Sequence, residues 1–94
     1  MRGELIRVLS AVEEKANELK MDGFDPDIVL FGKEAYEFLK AQVDEEFGGD
    51  EKVTEISGLK VKLLEELGKD AVVIDSKMLG VGQGGAKRIR VIKD

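Results

Sequence analysis

The sequence predicts an α+β fold in which two helices pack on a small mixed β-sheet. Apolar residues recur every three or four positions in two segments before residue 48, a spacing typical of amphipathic helices. Short apolar or alternating runs bounded by glycine fill most of the remaining chain, as in strands. Because these strands follow one another without intervening helices, a doubly wound parallel sheet is not expected. The 94 residues contain no repeat or linker, so residues 1–94 are interpreted as a single domain.

The first helix is expected from about residue 3 to residue 22. Its apolar positions alternate in steps of four and three along one stripe, which contains Leu5, Leu9, Val12, Ala16 and Leu19. Gly23 follows, where a left-handed residue ends many helices, and Phe24 is placed to fold back on the last turn. Asp25–Pro26–Asp27 then imposes an extended or turn backbone, because the residue before proline avoids the helical region.

A central strand and a second helix follow. Ile28–Phe31 is wholly apolar, which is typical of a strand buried in the middle of a sheet. The second helix is expected from about Lys33 to Phe47, and Gly48–Gly49 ends it. Its buried stripe is expected to contain Tyr36, Leu39, Val43 and Phe47. The first half of the chain is therefore expected to supply both helices and the central strand.

The second half of the chain is expected to supply the other strands. Val53–Ile56 and Ala71–Asp75 are short runs next to turns, and Arg88–Ile92 follows a glycine loop. Leu59–Leu63 alternates between apolar and charged residues, as a half-buried strand does. A helix remains open for this segment, because one helix face would also contain Leu59, Leu63, Leu64 and Leu67.

The composition argues against catalysis. The sequence contains no Cys and no His, which removes thiol nucleophiles, disulfides, zinc–thiolate sites and the commonest general base. Ser, Thr, Lys and carboxylates are the nucleophiles and bases that remain. The acidic residues do not have the spacing of a calcium-binding loop. We therefore expect no catalytic, cofactor-binding or metal-binding residues, no cofactor, and a protein that is not an enzyme.

The charge and hydropathy of the chain restrict its partners. Twenty acids against fifteen bases give a net charge of −5, which disfavours nucleic-acid binding. The longest apolar run, Ile28–Phe31, is far shorter than the ~20 residues of a membrane span, and the first residues do not resemble a signal peptide. We expect no nucleic-acid or membrane partner and a cytoplasmic location. Abundant Glu and Lys, with little Asn or Gln and no Cys, is typical of hyperthermophile proteins.

A glycine-rich loop precedes the last strand. Residues 80–85 match the letters G-x-G-x-x-G, but no helix follows to hold a pyrophosphate, so a dinucleotide site is not expected. The loop is interpreted either as a mobile hairpin-like connection or as a partner contact, because long glycine loops on small domains often carry function. The candidate contact residues are Gly80, Val81, Gly82, Gln83, Gly84, Gly85, Lys87 and Arg88. The alternative is a monomeric binding or regulatory module that uses the Gly80–Gly85 loop for a small anionic ligand, with Lys87 and Arg88 as charge partners.

The charge distribution along the chain is uneven. Residues 44–55 contain six acids and a single lysine, whereas residues 87–93 contain four bases and no acid. Opposite patches on one small domain pair either within the fold or between copies of the chain. The sequence leaves both arrangements open.

The order of elements from residue 27 onward carries a resemblance to a known family. An apolar strand, Ile28–Phe31, precedes a helix with an early aromatic residue, Tyr36. The step Gly58–Leu59–Lys60–Val61 opens the next strand, and Ala71–Asp75 follows with a trailing Asp. A loop then leads into Arg88–Ile92, a final strand that begins with alternating charge. This order resembles the apical domain of the tailed-phage major capsid fold, which encapsulin shell proteins share.

The whole chain also resembles a small family of hyperthermophilic archaeal proteins that are grouped as truncated encapsulins with only the apical domain. The resemblance implies a single apical-domain-like α+β domain with a non-enzymatic, structural role. It further implies a homo-oligomer, or association with a cargo metabolic enzyme. By the same resemblance, the Gly80–Gly85 loop would form an axial or inter-subunit contact.

Overall fold

The computed structural model describes residues 2–48, 52–78 and 84–92. These residues contain two α-helices and five β-strands, which confirms the predicted α+β class. The elements follow in the order α1 (Arg2–Met21), β1 (Ile28–Phe31), α2 (Lys33–Phe47), β2 (Glu55–Ile56), β3 (Leu59–Leu63), β4 (Asp70–Ile74) and β5 (Ala86–Arg90). One short 3-10 helix, Glu65–Leu67, separates β3 from β4.

All five strands belong to one mixed sheet with the order β2-β3-β1-β4-β5. The predicted central strand, β1, does lie in the middle, parallel to β3 and antiparallel to β4. β2 and β5 form the two edges, and each is antiparallel to its neighbour. α2 lies in the connection between β1 and β3, because parallel neighbours require a long crossover.

The first helix agrees with its predicted bounds to within one residue, and its apolar stripe faces the core. Val8, which the predicted stripe omits, is buried as well. Gly23 has a φ of +92° and donates a hydrogen bond to the Lys20 carbonyl, while Phe24 donates to the Leu19 carbonyl. These two bonds form a Schellman motif, whose left-handed position favours glycine because a side chain would strain that backbone.

The core lies between the two helices and one face of the sheet. Because successive strand residues point to opposite faces, alternate residues of each strand enter this core. Its largest fully buried side chains belong to Val8, Val12, Leu19, Val29, Phe31, Leu39, Val73 and Val91. Gly32, between β1 and α2, is buried against Gly68, and a Cβ added at Gly32 would overlap the Gly68 backbone. This close approach requires glycine at position 32.

The strand prediction for Leu59–Leu63 is confirmed, and the helical alternative is wrong, because this segment pairs with both β1 and β2. β2 is two residues shorter than predicted. The last strand is shifted by two residues towards the N-terminus and ends at Arg90. The reason is its pairing, since β4 begins at Asp70, directly opposite Arg90.

One residue of the predicted buried stripe of α2 is exposed. Leu39 is fully buried and Tyr36 and Val43 pack partly against the core, but Phe47 is 76% exposed. Gln42 is buried instead. Phe47 lies in the last turn of the helix, where no element of the described residues covers it.

Candidate functional site

The predicted glycine loop lies only partly within the described residues. Gly80, Val81, Gly82 and Gln83 fall outside them, whereas the end of the loop, Gly84 and Gly85, is described. Gly84 has a φ of +112°, and a Cβ added there would lie 3.0 Å from the Phe24 ring. The Gly85 carbonyl accepts a hydrogen bond of 2.8 Å from the Asp75 amide. The end of the loop is therefore anchored to the turn after α1 and to the end of β4.

The two candidate cations after the loop lie on opposite faces of the sheet. Lys87 faces the helices, where its Nζ lies 3.9 Å from a Glu18 carboxylate oxygen and 3.8 Å from an Asp22 carboxylate oxygen. Arg88 faces the other side, where its Nε lies 2.7 Å from a carboxylate oxygen of Asp70. Each cation has a carboxylate partner of its own, so the pair does not converge on one point where an anionic ligand would bind.

Asp70 connects the two arginines of β5. Arg88 donates to one of its carboxylate oxygens, and the Nε of Arg90 lies 3.0 Å from the other. Asp70 is nearly buried, while both arginine side chains remain about 60% exposed. The described bases of β5 therefore pair within the fold, with Glu18, Asp22 and Asp70, and with none of the described acids of segment 44–55.

The face of the sheet away from the helices carries an apolar strip. Ile28 lies opposite Ile74 and Leu30 lies opposite Val72, in neighbouring rows across β1 and β4. None of these four residues belongs to the core between sheet and helices. Ile74 is buried, while the other three keep part of their surface exposed. We call this side of the sheet the open face and these four residues its apolar strip, because both helices pack on the other side.

Positive charge borders the apolar strip on both sides. On β3, Lys60 and Lys62 lie opposite Ile28 and Leu30. On β5, Arg88 and Arg90 lie opposite Val72 and Asp70. Both lysines are exposed. These four residues, Lys60, Lys62, Arg88 and Arg90, are the cationic flanks of the open face, and they make it an amphipathic surface with an apolar centre.

The C-terminal end of α2 has the opposite character. Its last turn contains Asp44, Glu45 and Glu46 and no basic residue, so the carboxylates add to the negative end of the helix dipole. A Lys40 ammonium lies 2.9 Å from the Asp44 carboxylate. The exposed ring of Phe47 adjoins these acids. We call residues 44–47 the acidic end of α2.

A shallow apolar groove lies between the start of α1, the end of α2 and the segment before β3. Its volume is about 430 Å³. The residues that line it are Leu5, Leu9, Val43, Phe47, Lys52, Val53, Thr54, Glu55, Ile56 and Ser57. Its polar lining residues are Lys52, Thr54, Glu55 and Ser57, and all four belong to the segment before β3.

Two aspartates, Asp27 and Asp75, accept hydrogen bonds at the end of the sheet where β1 begins and β4 ends. The Asp75 carboxylate is buried and accepts from the amides of Asp25 and Lys77. Asp27 accepts from both the hydroxyl and the amide of Ser76. The hydrogen bond from the Ser76 hydroxyl is the main reason that the pKa of Asp27 lies below its usual value of 3.8. Partial desolvation of the carboxyl acts in the opposite direction. Through these hydrogen bonds, the two carboxylates hold the turn after β4 against the segment before β1.

The described part of the chain offers neither a metal site nor a membrane-spanning helix. Residues 2–48, 52–78 and 84–92 contain no group of three or more Asp and Glu side chains that could hold a metal ion. Neither of the two helices in this part of the chain combines the length and apolar composition needed to span a bilayer.

Comparisons with known proteins identify similar sequences. The model of the family described as "Putative type 4B encapsulin shell protein" matches residues 2–93 of this chain, a range that includes both helices and all five strands. A protein of Pyrococcus furiosus with the same description is 38% identical over 85 residues. The alignment covers 90% of this chain and 72% of that protein.

Proposed function

Because this chain belongs to the type 4B encapsulin shell protein family, we propose that it is a non-enzymatic structural protein that associates with itself. The assembly that we propose is a shell, a ring or a layer around a cargo enzyme. Residues 1–94 contribute to it as one apical-domain-like α+β domain of the tailed-phage capsid type. The single core cluster, which includes residues of both helices and of all five strands, supports the assignment of one domain.

The open face of the sheet is the observation that carries this proposal. Strands that are apolar at nearly every position are typical of sheets covered on both faces. β1 and four of the five residues of β4 have this composition. Both helices cover the other face, so neither covers the apolar strip, of which Ile28, Leu30 and Val72 remain partly exposed. Contact with another protein molecule would remove the strip from water, as expected for an assembly protein.

The glycine loop is proposed as a further inter-subunit contact. Its described end, Gly84 and Gly85, leads directly into β5, which is an edge strand of the sheet. Edge strands present unpaired backbone groups that readily meet a neighbouring molecule. Arg88, on the same strand, belongs to the cationic flanks of the open face. A subunit that covers the open face near β5 would therefore lie close to the loop.

Sedimentation velocity over a series of protein concentrations tests the proposal. We expect species larger than the monomer whose fraction rises with concentration, and particles of regular shape in negative-stain electron microscopy. The measurement is repeated on protein co-expressed with the product of a neighbouring gene, to detect association with a cargo enzyme. A purely monomeric protein at every concentration, in both preparations, would contradict self-association and cargo association alike.

A further inference from the structure

We propose that the open face binds the acidic end of α2 of a second copy of this chain, in a head-to-tail contact. The inference rests on the proposed self-association and adds which two surfaces meet. One copy contributes the apolar strip and the cationic flanks. The second copy contributes the carboxylates of Asp44 and Glu45 and the exposed ring of Phe47. Within one copy the two surfaces cannot meet, because α2 packs on the opposite side of the sheet.

The dimensions of the two surfaces are compatible. β3 and β5, which carry the flanks, are three strand positions apart in the sheet, a distance of about 14 Å. An α-helix with its side chains is about 10–12 Å across. The end of a helix therefore fits between the flanks, above β1 and β4. In that position Phe47 of the second copy contacts the apolar strip at Leu30 and Val72.

The charges of the two surfaces are complementary. The open face carries four cations against two carboxylates, those of Asp70 and Glu55. Asp70 is already paired with both arginines. Within the described residues, Lys60 and Lys62 have no ion-pair partner. Lys40 pairs with Asp44 within the helix, but the last turn of α2 contains no base. Cations from another molecule would therefore further relieve the repulsion between its acids and the helix dipole.

The same charges disfavour a symmetric contact between two open faces. In a two-fold arrangement the same surface meets itself, so the cationic flanks of one copy would lie over those of the other. Like charges brought together across an interface oppose association. A head-to-tail contact instead joins two unlike surfaces, and its repetition produces a closed ring or an open array. A shell or a layer is built from closed rings or open arrays of this kind.

The contact area indicates how the contact should be measured. Four strands of about five residues form a surface of about 16 by 14 Å, well below the ~800 Å² per partner of a stable interface. A single contact is therefore expected to be weak and to depend on protein concentration. Sedimentation equilibrium, extended to millimolar protein, is the appropriate measurement.

Two charge-reversed variants test the pairing. The first carries Lys60→Glu and Lys62→Glu on the open face, and the second carries Asp44→Lys and Glu45→Lys at the acidic end. We expect each variant alone to associate at least tenfold more weakly than the wild type, since like charges then meet in every contact. An equimolar mixture of the two should recover association, because unlike surfaces again meet if the copies alternate.

Three further variants, one of them a charge-matched control, complete the test. Lys20→Glu with Lys33→Glu changes the net charge by the same amount as the first variant, at exposed positions on the two helices, and should associate as the wild type does. Phe47→Ala should weaken association without unfolding the chain, because the ring is 76% exposed. Should the double change on β3 prevent folding, Lys62→Glu alone replaces it. Circular dichroism verifies that each variant is folded.

The outcomes separate this inference from the proposed function. Recovery in the mixture, with loss in each variant alone, supports the head-to-tail contact. A wild type that associates, together with acidic-end and Phe47→Ala variants that associate equally well, overturns the contact but leaves self-association in place. Loss in both variants without recovery in the mixture also overturns the pairing of these two surfaces. A wild type that stays monomeric to millimolar concentration overturns both proposals.

Discussion

Leu30 of β1 lies directly opposite Val72 of β4 on the open face of the sheet. In the same row, Lys62 lies opposite Leu30 and Arg88 lies opposite Val72, so an apolar pair sits between two cations. Neither apolar residue belongs to the core that joins the sheet to the helices. The open face can therefore be altered with a limited effect on folding, and association and stability can be measured separately.

Leu30→Gln is expected to weaken self-association while the chain remains folded. The change removes apolar surface from the centre of the open face, and a loss of roughly 1.4 kcal/mol in the contact corresponds to a tenfold higher dissociation constant. Since Leu30 is only half-buried in one copy, the free energy of unfolding should fall by no more than about 1–2 kcal/mol. Sedimentation equilibrium and urea unfolding provide the two measurements.

Ile6→Gln is the matched control for this prediction. Ile6 is 55% exposed on α1, away from the open face, so its replacement should leave the dissociation constant within about twofold of the wild type. Equal losses in the two variants would show that apolar surface in general, and not the open face, drives association.

Gly32→Ala is expected to destabilise the fold. A Cβ at this position overlaps the Gly68 backbone, so the connection between β1 and α2 must move, at a cost of about 1–3 kcal/mol. Gly3→Ala is the control, because a Cβ on that helical residue meets nothing within 4 Å and alanine favours a helix by up to about 1 kcal/mol. Urea unfolding should show opposite signs for the two changes. A neutral Gly32→Ala would contradict the close approach.

Ser76→Ala is expected to lower stability at neutral pH but not in acid. Its hydroxyl is the main cause of the lowered pKa of Asp27. A carboxyl with a lowered folded-state pKa contributes stability above its unfolded pKa, near 3.8, and loses that contribution as the pH falls through the folded value. The difference in unfolding free energy between wild type and Ser76→Ala should therefore shrink as the pH falls below about 4.

The control for the pH dependence is Ser10→Ala, an exposed position on α1. Its unfolding free energy should differ from that of the wild type by the same small amount at every pH. A Ser76→Ala difference that stays constant from neutral to acid pH would mean that the Ser76 hydroxyl does not stabilise the charged form of Asp27.

Salt is expected to weaken association of the wild type. Raising the ionic strength from about 0.1 M to about 1 M shortens the Debye length from roughly 10 Å to roughly 3 Å, which screens exposed charges. Because the cationic flanks and the acidic end are exposed, the dissociation constant should rise with salt. Tighter association at high salt would indicate that apolar contact alone joins the copies, without the proposed charge pairing.

Much of the fold follows from local patterns. The stripe of α1 and its end at Gly23 are correctly predicted, because helical periodicity and the glycine signal act within a few residues. Ile28–Phe31 is correctly placed at the centre of the sheet, since a wholly apolar run favours that position. The predicted burial of Phe47 is wrong, because helical spacing alone does not show where the neighbouring elements stop covering a helix.

The surfaces proposed for association depend on which strands pair and in which register, and local sequence patterns do not specify that pairing. Lys60 and Ile74 lie on either side of Ile28, although both are more than thirty residues away from it in the sequence. The bases of residues 87–90 form one positive segment in the sequence. Because strand residues alternate between faces, however, Lys87 faces the helices and Arg88 lies on the open face. The strand register creates the open face, and no local pattern carries that register.

Composition and periodicity, then, determined by themselves that this chain lacks histidine and cysteine chemistry and that it combines two amphipathic helices with short strands. The tertiary structure decided which apolar residues the helices cover and which they leave on the open face. It also decided that the basic residues border that face and that Phe47 is exposed beside three acids. The physical reason is that side-chain periodicity is a local property, whereas burial depends on which distant segments pack together.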